Sequence, residues 1–441
     1  MPNANIYGCV ALVAALAATG FSAPAHSATL RTLHSFCSAS GCTDGLEPNA
    51  GLTADAAGNL YGTTAEGGKR GDGVAYKLVR GRNGFKFDVI HTFCEEKGCK
   101  DGNQPLAGLI ADNNGNLYGT TAAGAAGSGV VFELSPKTDS RRYSLKVLYT
   151  FCTVAGCADG AAPAARLTYS GAATGALYDG VSPLYGTTTA GGAGNMGTAF
   201  RLAPHNNRWR LTVMHDFCAK PKCADGATPR TGLTIDGSGT LFGTTAAGGK
   251  NQDGTVFELV PNARQTKWAE RVLYSFCSAS GCTDGRDPVG HLIEDATGNL
   301  FGTSLTGGTS CPKETCGVVF RLDPAVPSYA TRYDFCSLAD CTDGSGPQGE
   351  LAMDSSGNLY GTTTQGGGND IDQDGVGGGT IFQLNGTILQ TLHSFCALSA
   401  CADGEYPQDG VIRDANGNLF GTTLRGGTGT NSGGTVFELL P

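Results

Sequence analysis

Residues 36–45 read Phe-Cys-Ser-Ala-Ser-Gly-Cys-Thr-Asp-Gly, and residues 276–285 repeat the same ten residues. The pair Phe-Cys opens related blocks throughout the chain, at spacings of 57, 58, 66, 59, 59 and 60 residues. The chain therefore consists of seven repeats and has little room for any other domain. The seven phenylalanines are Phe36, Phe93, Phe151, Phe217, Phe276, Phe335 and Phe395.

Each repeat contains short apolar runs rich in β-branched and aromatic residues, separated by turn residues, which predicts four strands. In the fourth repeat we expect strands over Leu233–Asp236, Thr240–Thr245, Thr255–Val260 and Arg271–Phe276. Seven four-stranded units indicate an all-β, seven-bladed β-propeller spanning residues 29–441. A β-solenoid is the alternative, but its coils are usually shorter and need caps at both ends.

The order of the strands predicts how the ring closes. The repeats begin with a lone fourth-type strand near Thr32–Phe36 and end with a third-type strand at Thr435–Leu439. The N-terminal strand should therefore complete the last blade and leave no open sheet edge between the two ends of the chain.

Composition excludes several classes of protein. The 441 residues include 69 glycines and only 16% charged residues, so helical bundles and disordered chains are both disfavoured. The net charge is −9 and no basic cluster occurs, so nucleic acid is not expected as a partner.

The N-terminal segment predicts export from the cytoplasm. Residues 1–28 carry no Asp, Glu, Lys or Arg, contain an apolar run at 10–18 and end in small residues, as in a signal peptide. We therefore expect a secreted or periplasmic protein without a transmembrane anchor, and a monomer.

Cysteine usage agrees with an oxidising destination. Sixteen of the 17 cysteines form eight C-x4-C pairs, which we expect to be disulfides; thiolate zinc sites would require two pairs to converge on one ion. The pairs are Cys37/Cys42, Cys94/Cys99, Cys152/Cys157, Cys218/Cys223, Cys277/Cys282, Cys311/Cys316, Cys336/Cys341 and Cys396/Cys401.

Two further motifs suggest binding sites. An Asp follows the second cysteine in every repeat, and seven such carboxylates on one face could bind a cation or a basic partner. The alternative is that each Asp only stabilises its own turn. The seven residues are Asp44, Asp101, Asp159, Asp225, Asp284, Asp343 and Asp403.

The sixth repeat inserts an acidic loop in which Asp370, Asp372 and Asp374 alternate before Gly375. This pattern resembles the first half of a calcium loop, so calcium is a candidate ion. The later acidic ligands of such a loop are missing, and a solvated acidic loop is the alternative.

The runs Gly-Asn-Leu-Tyr-Gly-Thr-Thr at 58–64, 115–121 and 357–363, and Gly-Thr-Val-Phe-Glu-Leu at 254–259 and 434–439, resemble the choice-of-anchor tandem-repeat GloVer family of exported bacterial proteins. The resemblance implies a surface or secreted location. It does not imply any catalytic activity.

No nucleophile elbow, zinc-protease motif or phosphate loop occurs, and the repeat predicts no unique polar constellation. Four histidines share one repeat position with tyrosines, which indicates packing. We therefore expect a non-catalytic binding or structural module with a protein or glycan partner. The alternative is a glycan-acting hydrolase or lyase that uses acidic residues of the central funnel.

Overall fold

The computed structural model describes residues 28–124, 127–138, 142–206, 208–309, 316–369 and 377–441. They form seven antiparallel four-stranded sheets arranged as the blades of a ring. Blades 1 to 7 follow the order of the repeats. The predicted seven-bladed propeller is confirmed.

The innermost strand of each blade is only two residues long. These strands are β2 Thr53–Ala54, β6 Ile110–Ala111, β10 Thr168–Tyr169, β14 Thr234–Ile235, β18 Ile293–Glu294, β22 Ala352–Met353 and β26 Ile412–Arg413. The second strands are β3 Leu60–Thr64, β7 Leu117–Thr121, β11 Leu184–Thr188, β15 Leu241–Thr245, β19 Leu300–Ser304, β23 Leu359–Thr363 and β27 Leu419–Thr423.

The third strands carry the Val-Phe-Glu-Leu type of sequence, and the fourth form the outer edge. The third strands are β4 Val74–Gly81, β8 Val130–Pro136, β12 Thr198–His205, β16 Thr255–Pro261, β20 Val318–Asp323, β24 Thr380–Asn385 and β28 Thr435–Leu440. The outer strands are β5 Gly84–Thr92, β9 Tyr143–Thr150, β13 Arg208–Asp216, β17 Trp268–Ser275, β21 Ser328–Asp334, β25 Ile388–Ser394 and, in blade 7, β1 Thr29–Ser35.

Strand β1 closes the ring as predicted. It pairs antiparallel with β28, from Thr29 opposite Leu440 to Ser35 opposite Thr435. The first strand of the described chain thus lies beside the last one. Backbone hydrogen bonds between these two strands close the ring.

The core lies between neighbouring blades, where the repeat motif explains the packing. The Phe of each Phe-Cys pair is almost completely buried and contacts an aromatic ring on a third strand of the next blade, as Phe217 contacts Phe257 with ring centroids 5.0 Å apart. Gly243 pairs with Phe257 across the sheet, and a Cβ there would lie 2.7 Å from the Phe257 ring. The glycine of Leu-Tyr-Gly-Thr-Thr therefore makes room for this ring.

The first threonine of the same motif links blades at the ring centre. Thr187 Oγ1 donates to the carbonyl of Thr231 at 2.7 Å, and Thr362 Oγ1 donates to the carbonyl of Asp409 at 2.9 Å. The acceptors directly precede the inner strands of the following blades, so these bonds fix the wall of the central channel.

The short helices are 3-10 turns. Six lie in disulfide loops, at Ser40–Cys42, Ala155–Cys157, Pro221–Cys223, Ser280–Cys282, Ala339–Cys341 and Ser399–Cys401, and one lies in blade 3 at Ala172–Thr174. Across the ranges given above, no helix has the length and apolarity that a membrane crossing requires. The predicted signal peptide falls on residues 1–28, and all but Ala28 lie outside the described residues.

Candidate functional site

Seven of the eight C-x4-C pairs, all but Cys311/Cys316, lie in the loops that join an outer strand to the next blade. Seven pairs are bonded as disulfides, each between cysteines five positions apart. These loops pair with the loops between second and third strands, for example through Ala227 and Ala247, so both sets of loops form one face. We call it the disulfide face. Cys316 is also disulfide-bonded, while Cys311 lies outside the described residues.

The seven predicted aspartates all lie on this face but point into their own turns. Asp225 is fully buried, and its two carboxylate oxygens accept the backbone N–H groups of Ala219 and Lys220 at 3.0 and 3.1 Å. Equivalent pairs of N–H groups reach the other six aspartates. The structure keeps these carboxylates apart, one in each disulfide turn. Ligand binding by the seven stays a prediction.

A histidine or tyrosine of the outer strand also approaches each aspartate. Tyr149 Oη donates to Asp159 at 2.8 Å, and His393 Nε2 donates to Asp403 at 3.1 Å. Sequence reasoning treated this position as packing and missed its polar role. The exchange of histidine for tyrosine could have indicated this role. Both side chains place an N–H or O–H donor at a similar distance from the backbone.

These contacts change the acidity of both partners. Burial alone would raise the pKa of Asp403, but hydrogen bonds from His393 and from two backbone N–H groups hold that pKa below its usual value. Burial and the Asp159 carboxylate raise the pKa of Tyr149 to about 12, because both oppose the phenolate. The ionised carboxylate is therefore part of the folded turn.

The acidic loop of blade 6 cannot be placed. Asp370, Asp372 and Asp374 lie outside the described residues, so calcium binding there stays a prediction.

The central channel brings together residues that the repeat alone did not single out. Two rings of seven residues line its upper part, which opens on the disulfide face. The mouth ring follows the proline of each repeat and consists of Asn49, Leu106, Ala164, Arg230, Val289, Gln348 and Gln408. The waist ring lies two residues further along each chain segment and consists of Gly51, Gly108, Arg166, Gly232, His291, Glu350 and Gly410.

Both rings border one cavity of about 670 Å³. A second cavity, of about 570 Å³, lies beyond the waist and shares Arg166, His291 and Glu350 with the first. The two cavities also share Leu52, Gly175, Ile412 and Arg413, so the channel continues past the waist; we call its parts on the two sides the upper and the lower cavity.

An ion pair crosses the waist. Arg166 Nη1, from the segment before blade 3, lies 3.2 Å from Glu350 Oε2, from the segment before blade 6. About a third of each side chain remains exposed, 34% for Arg166 and 31% for Glu350, because both border the cavities. Burial would raise the pKa of Glu350, but the charge and the hydrogen bond of Arg166 hold it below its usual value.

Asp409 fixes the backbone beside this ion pair. Its carboxylate accepts the N–H of Gly51 at 2.7 Å, of Gly410 at 2.7 Å and of Glu350 at 3.2 Å. A Cβ at Gly410 would lie 1.6 Å from the Glu350 carbonyl oxygen, so the backbone segments before blades 6 and 7 touch directly.

His291 is oriented by its neighbours. The hydroxyl of Thr234 donates to the Leu292 carbonyl, so its oxygen accepts the proton of His291 Nε2, 3.3 Å away. Among the described residues none donates to Nδ1, and Gly232 leaves space beside it, since a Cβ there would lie 2.8 Å from Nδ1. Burial lowers the pKa of His291 despite the opposing charges of Glu350 and Asp409, and Arg166 lowers it further. The ring is therefore neutral near pH 7 and keeps a free lone pair.

The long passage in blade 3 lies at the other end of the channel. Ala172 and Gly175 border the lower cavity, and Tyr178 is fully buried against the Tyr118 and Tyr169 rings. The part of this passage from Ala172 to Leu177 thus contributes to the channel wall at that end.

The expectation that no unique polar constellation exists is wrong. Arg166, His291 and Glu350 replace a glycine that stands at the same repeat position in the other four repeats. Comparing the seven repeats at the residue that directly precedes the Leu or Val before each inner strand could have identified these three residues. It could not show that they meet across the ring.

Comparisons with known proteins agree with this architecture. The Gloeobacter/Verrucomicrobia repeat model matches residues 3–183, 172–372 and 271–441. No curated protein matches the chain.

Two solved structures show different degrees of similarity to the chain. A fungal alcohol oxidase in complex with copper is 12% identical, with a TM-score of 0.54 over 94% of this chain and 77% of that one. A chain of a nidogen/laminin complex is 14% identical, with a TM-score of 0.37 over 67% of this chain and 82% of that one. At these identities the likeness to the oxidase concerns the fold alone.

The family model spans the chain in three overlapping segments, and the repeats it describes are the blades of the ring. The chain belongs to the Gloeobacter/Verrucomicrobia repeat family.

Proposed function

We propose that this protein is a secreted or periplasmic binding module that holds its ligand in the upper cavity of the central channel. One observation carries the proposal: the waist ring is glycine in four repeats, while the other three place Arg166, His291 and Glu350 there. The structural residues of this scaffold repeat closely from blade to blade. Polar groups that depart from the repeat and converge in one concave cavity therefore favour a binding site there.

The disulfides support the compartment. Seven bonded pairs are typical of oxidising environments and rare in the cytosol. They also hold the loops on the face where the upper cavity opens, and a rigid rim reduces the entropy lost on binding.

The location of the site is tested by filling it. Ala164 belongs to the mouth ring, and Ala164→Trp should block the upper cavity. Ala269→Trp on the exposed side of β17 is the matched control, because it adds the same side chain far from the channel. A glycan and small-molecule panel is screened by thermal shift. Hits should vanish for Ala164→Trp and persist for Ala269→Trp; hits that survive Ala164→Trp would place the site elsewhere.

An enzyme that cleaves extracellular glycans is the second candidate, and His291 favours it. A neutral imidazole with a free Nδ1 beside Arg166 suits proton abstraction next to a carboxylate, which is the chemistry of a lyase. Hydrolysis is less well supported, because Glu350 is held ionised by Arg166 and so is a poor proton donor.

Product masses separate the candidates. Eliminative cleavage gives fragments whose masses sum to that of the substrate, whereas hydrolysis adds one water. Binding without any cleavage of the bound glycan supports the binding module, and cleavage that His291→Ala abolishes would establish the enzyme.

A further inference from the structure

We propose that the ligand of the upper cavity is an anionic saccharide, recognised through its carboxylate or sulfate group by Arg230 and through its hydroxyl groups by the amides of the mouth ring. The inference rests on the proposed function and names the chemistry of its ligand.

Arg230 is the one charged member of the mouth ring. It is exposed, and no carboxylate in the described part of the chain lies within ion-pairing distance of it. The positive charge of Arg230 acts on the Asp287 carboxylate and lowers its pKa against the larger, raising effect of burial, but no ion pair joins the two. In a chain with a net charge of −9, an arginine that makes no ion pair in a concave mouth is an exception. Its guanidinium presents paired N–H donors that match a carboxylate or a sulfate.

The negative charges that border the same cavity are already engaged. Glu350 pairs with Arg166, and both oxygens of Asp409 accept backbone N–H groups. They therefore oppose an incoming anion less than two free carboxylates would.

The opposite side of the mouth ring is an arc of amides. Gln348 donates to Gln408, and Asn49 follows in the next blade around the ring. Primary amides both donate and accept, as sugar hydroxyls do, so one arc can satisfy several hydroxyl groups.

Apolar members complete the ring. Leu106 and Val289 stand in blades 2 and 5, on either side of the two neighbouring blades that carry Ala164 and Arg230. Apolar side chains suit the C–H faces of a pyranose, and the mixture of one cation, three amides and aliphatic groups fits a hydroxylated anion better than a simple inorganic ion.

The test compares ligands that differ only in charge. Wild-type protein is titrated by calorimetry with trigalacturonate and with its methyl ester, and in a second arm with galactose 6-sulfate and galactose. We expect the charged member of one pair to bind at least about tenfold more tightly than its neutral counterpart, and the arm in which this occurs identifies the anionic group.

Arg230→Gln should remove that preference, while Arg208→Gln, on the exposed side of outer strand β13, should keep it. Equal affinity for charged and neutral ligands, or a preference that survives Arg230→Gln, would overturn the inference. Neutral ligands that bind as tightly as their charged counterparts and are blocked by Ala164→Trp would overturn it while leaving the proposed function intact. Absence of binding by every anionic sugar would also overturn it.

Discussion

His393 donates its Nε2 proton to Oδ2 of Asp403 across 3.1 Å, at the junction of an outer strand and a disulfide turn. The same carboxylate accepts the N–H groups of Ala397 and Leu398, each at 3.1 Å. One side chain thus joins the blade edge to the loop that carries Cys396 and Cys401.

Asp403→Asn should destabilise the protein at pH 7 by about 1–3 kcal/mol, because an amide cannot accept all three donors. The folded-state pKa of Asp403 is depressed, so its contribution is present above the unfolded pKa and is lost as pH falls through the folded value. Urea unfolding at several pH values should therefore show the wild type and the variant converging in acid. Glu95→Gln, an exposed change in an equivalent loop, is the control. A gap that persists at low pH would contradict the role of the ionised carboxylate.

The disulfide turns should be resistant to alkylation. In the seven bonded pairs, peptide mapping after iodoacetamide treatment without reductant should find no modified cysteine. Replacing Cys396 and Cys401 together by Ser should cost about 2 kcal/mol, the loop entropy of so small a ring. Extensive labelling of unreduced protein would show that the pairs are not formed.

Gly410→Ala should be strongly destabilising although it adds one methyl group. The new Cβ would meet the Glu350 carbonyl oxygen at 1.6 Å, so two backbone segments must separate, at a cost of about 1–3 kcal/mol or more. Gly237→Ala is the control, since its Cβ would meet nothing within 4 Å. Urea midpoints measure both, and equal midpoints would show that the segments are not in contact.

The ion pair across the waist should show coupling between blades 3 and 6. Arg166→Met and Glu350→Gln should each cost about 1–2 kcal/mol, a value reduced by partial exposure, because each leaves the partner without its counter-charge. The double variant should cost about 1 kcal/mol less than the sum. The exposed pair Lys146 and Glu133, 3.5 Å apart, gives the surface comparison. Additive effects at the waist would mean that the two charges do not interact.

The fold could be predicted from the sequence because each blade is a local unit. In the fourth repeat the second and third predicted strands match β15 and β16 to within a residue, since both are nearly continuous runs of buried residues bounded by turns. The first strand was predicted over Leu233–Asp236 and is only Thr234–Ile235, and the outer strand begins at Trp268 and not at Arg271. Strand ends depend on the partner strand, which one segment of sequence does not show.

The sequence by itself determined the seven blades and the disulfide turns, because these depend on contacts within a repeat or between consecutive ones. It also determined the closure of the ring by β1, because the first repeat supplies the outer strand that the last repeat lacks. The tertiary structure alone decided that Arg166, His291 and Glu350 meet, since residues 184 positions apart become neighbours only when the ring closes. It also decided that Asp409 stabilises their backbone and that Arg230 makes no ion pair with any described residue. A channel at the axis of a ring brings one residue of every blade together, and the sequence places those residues far apart.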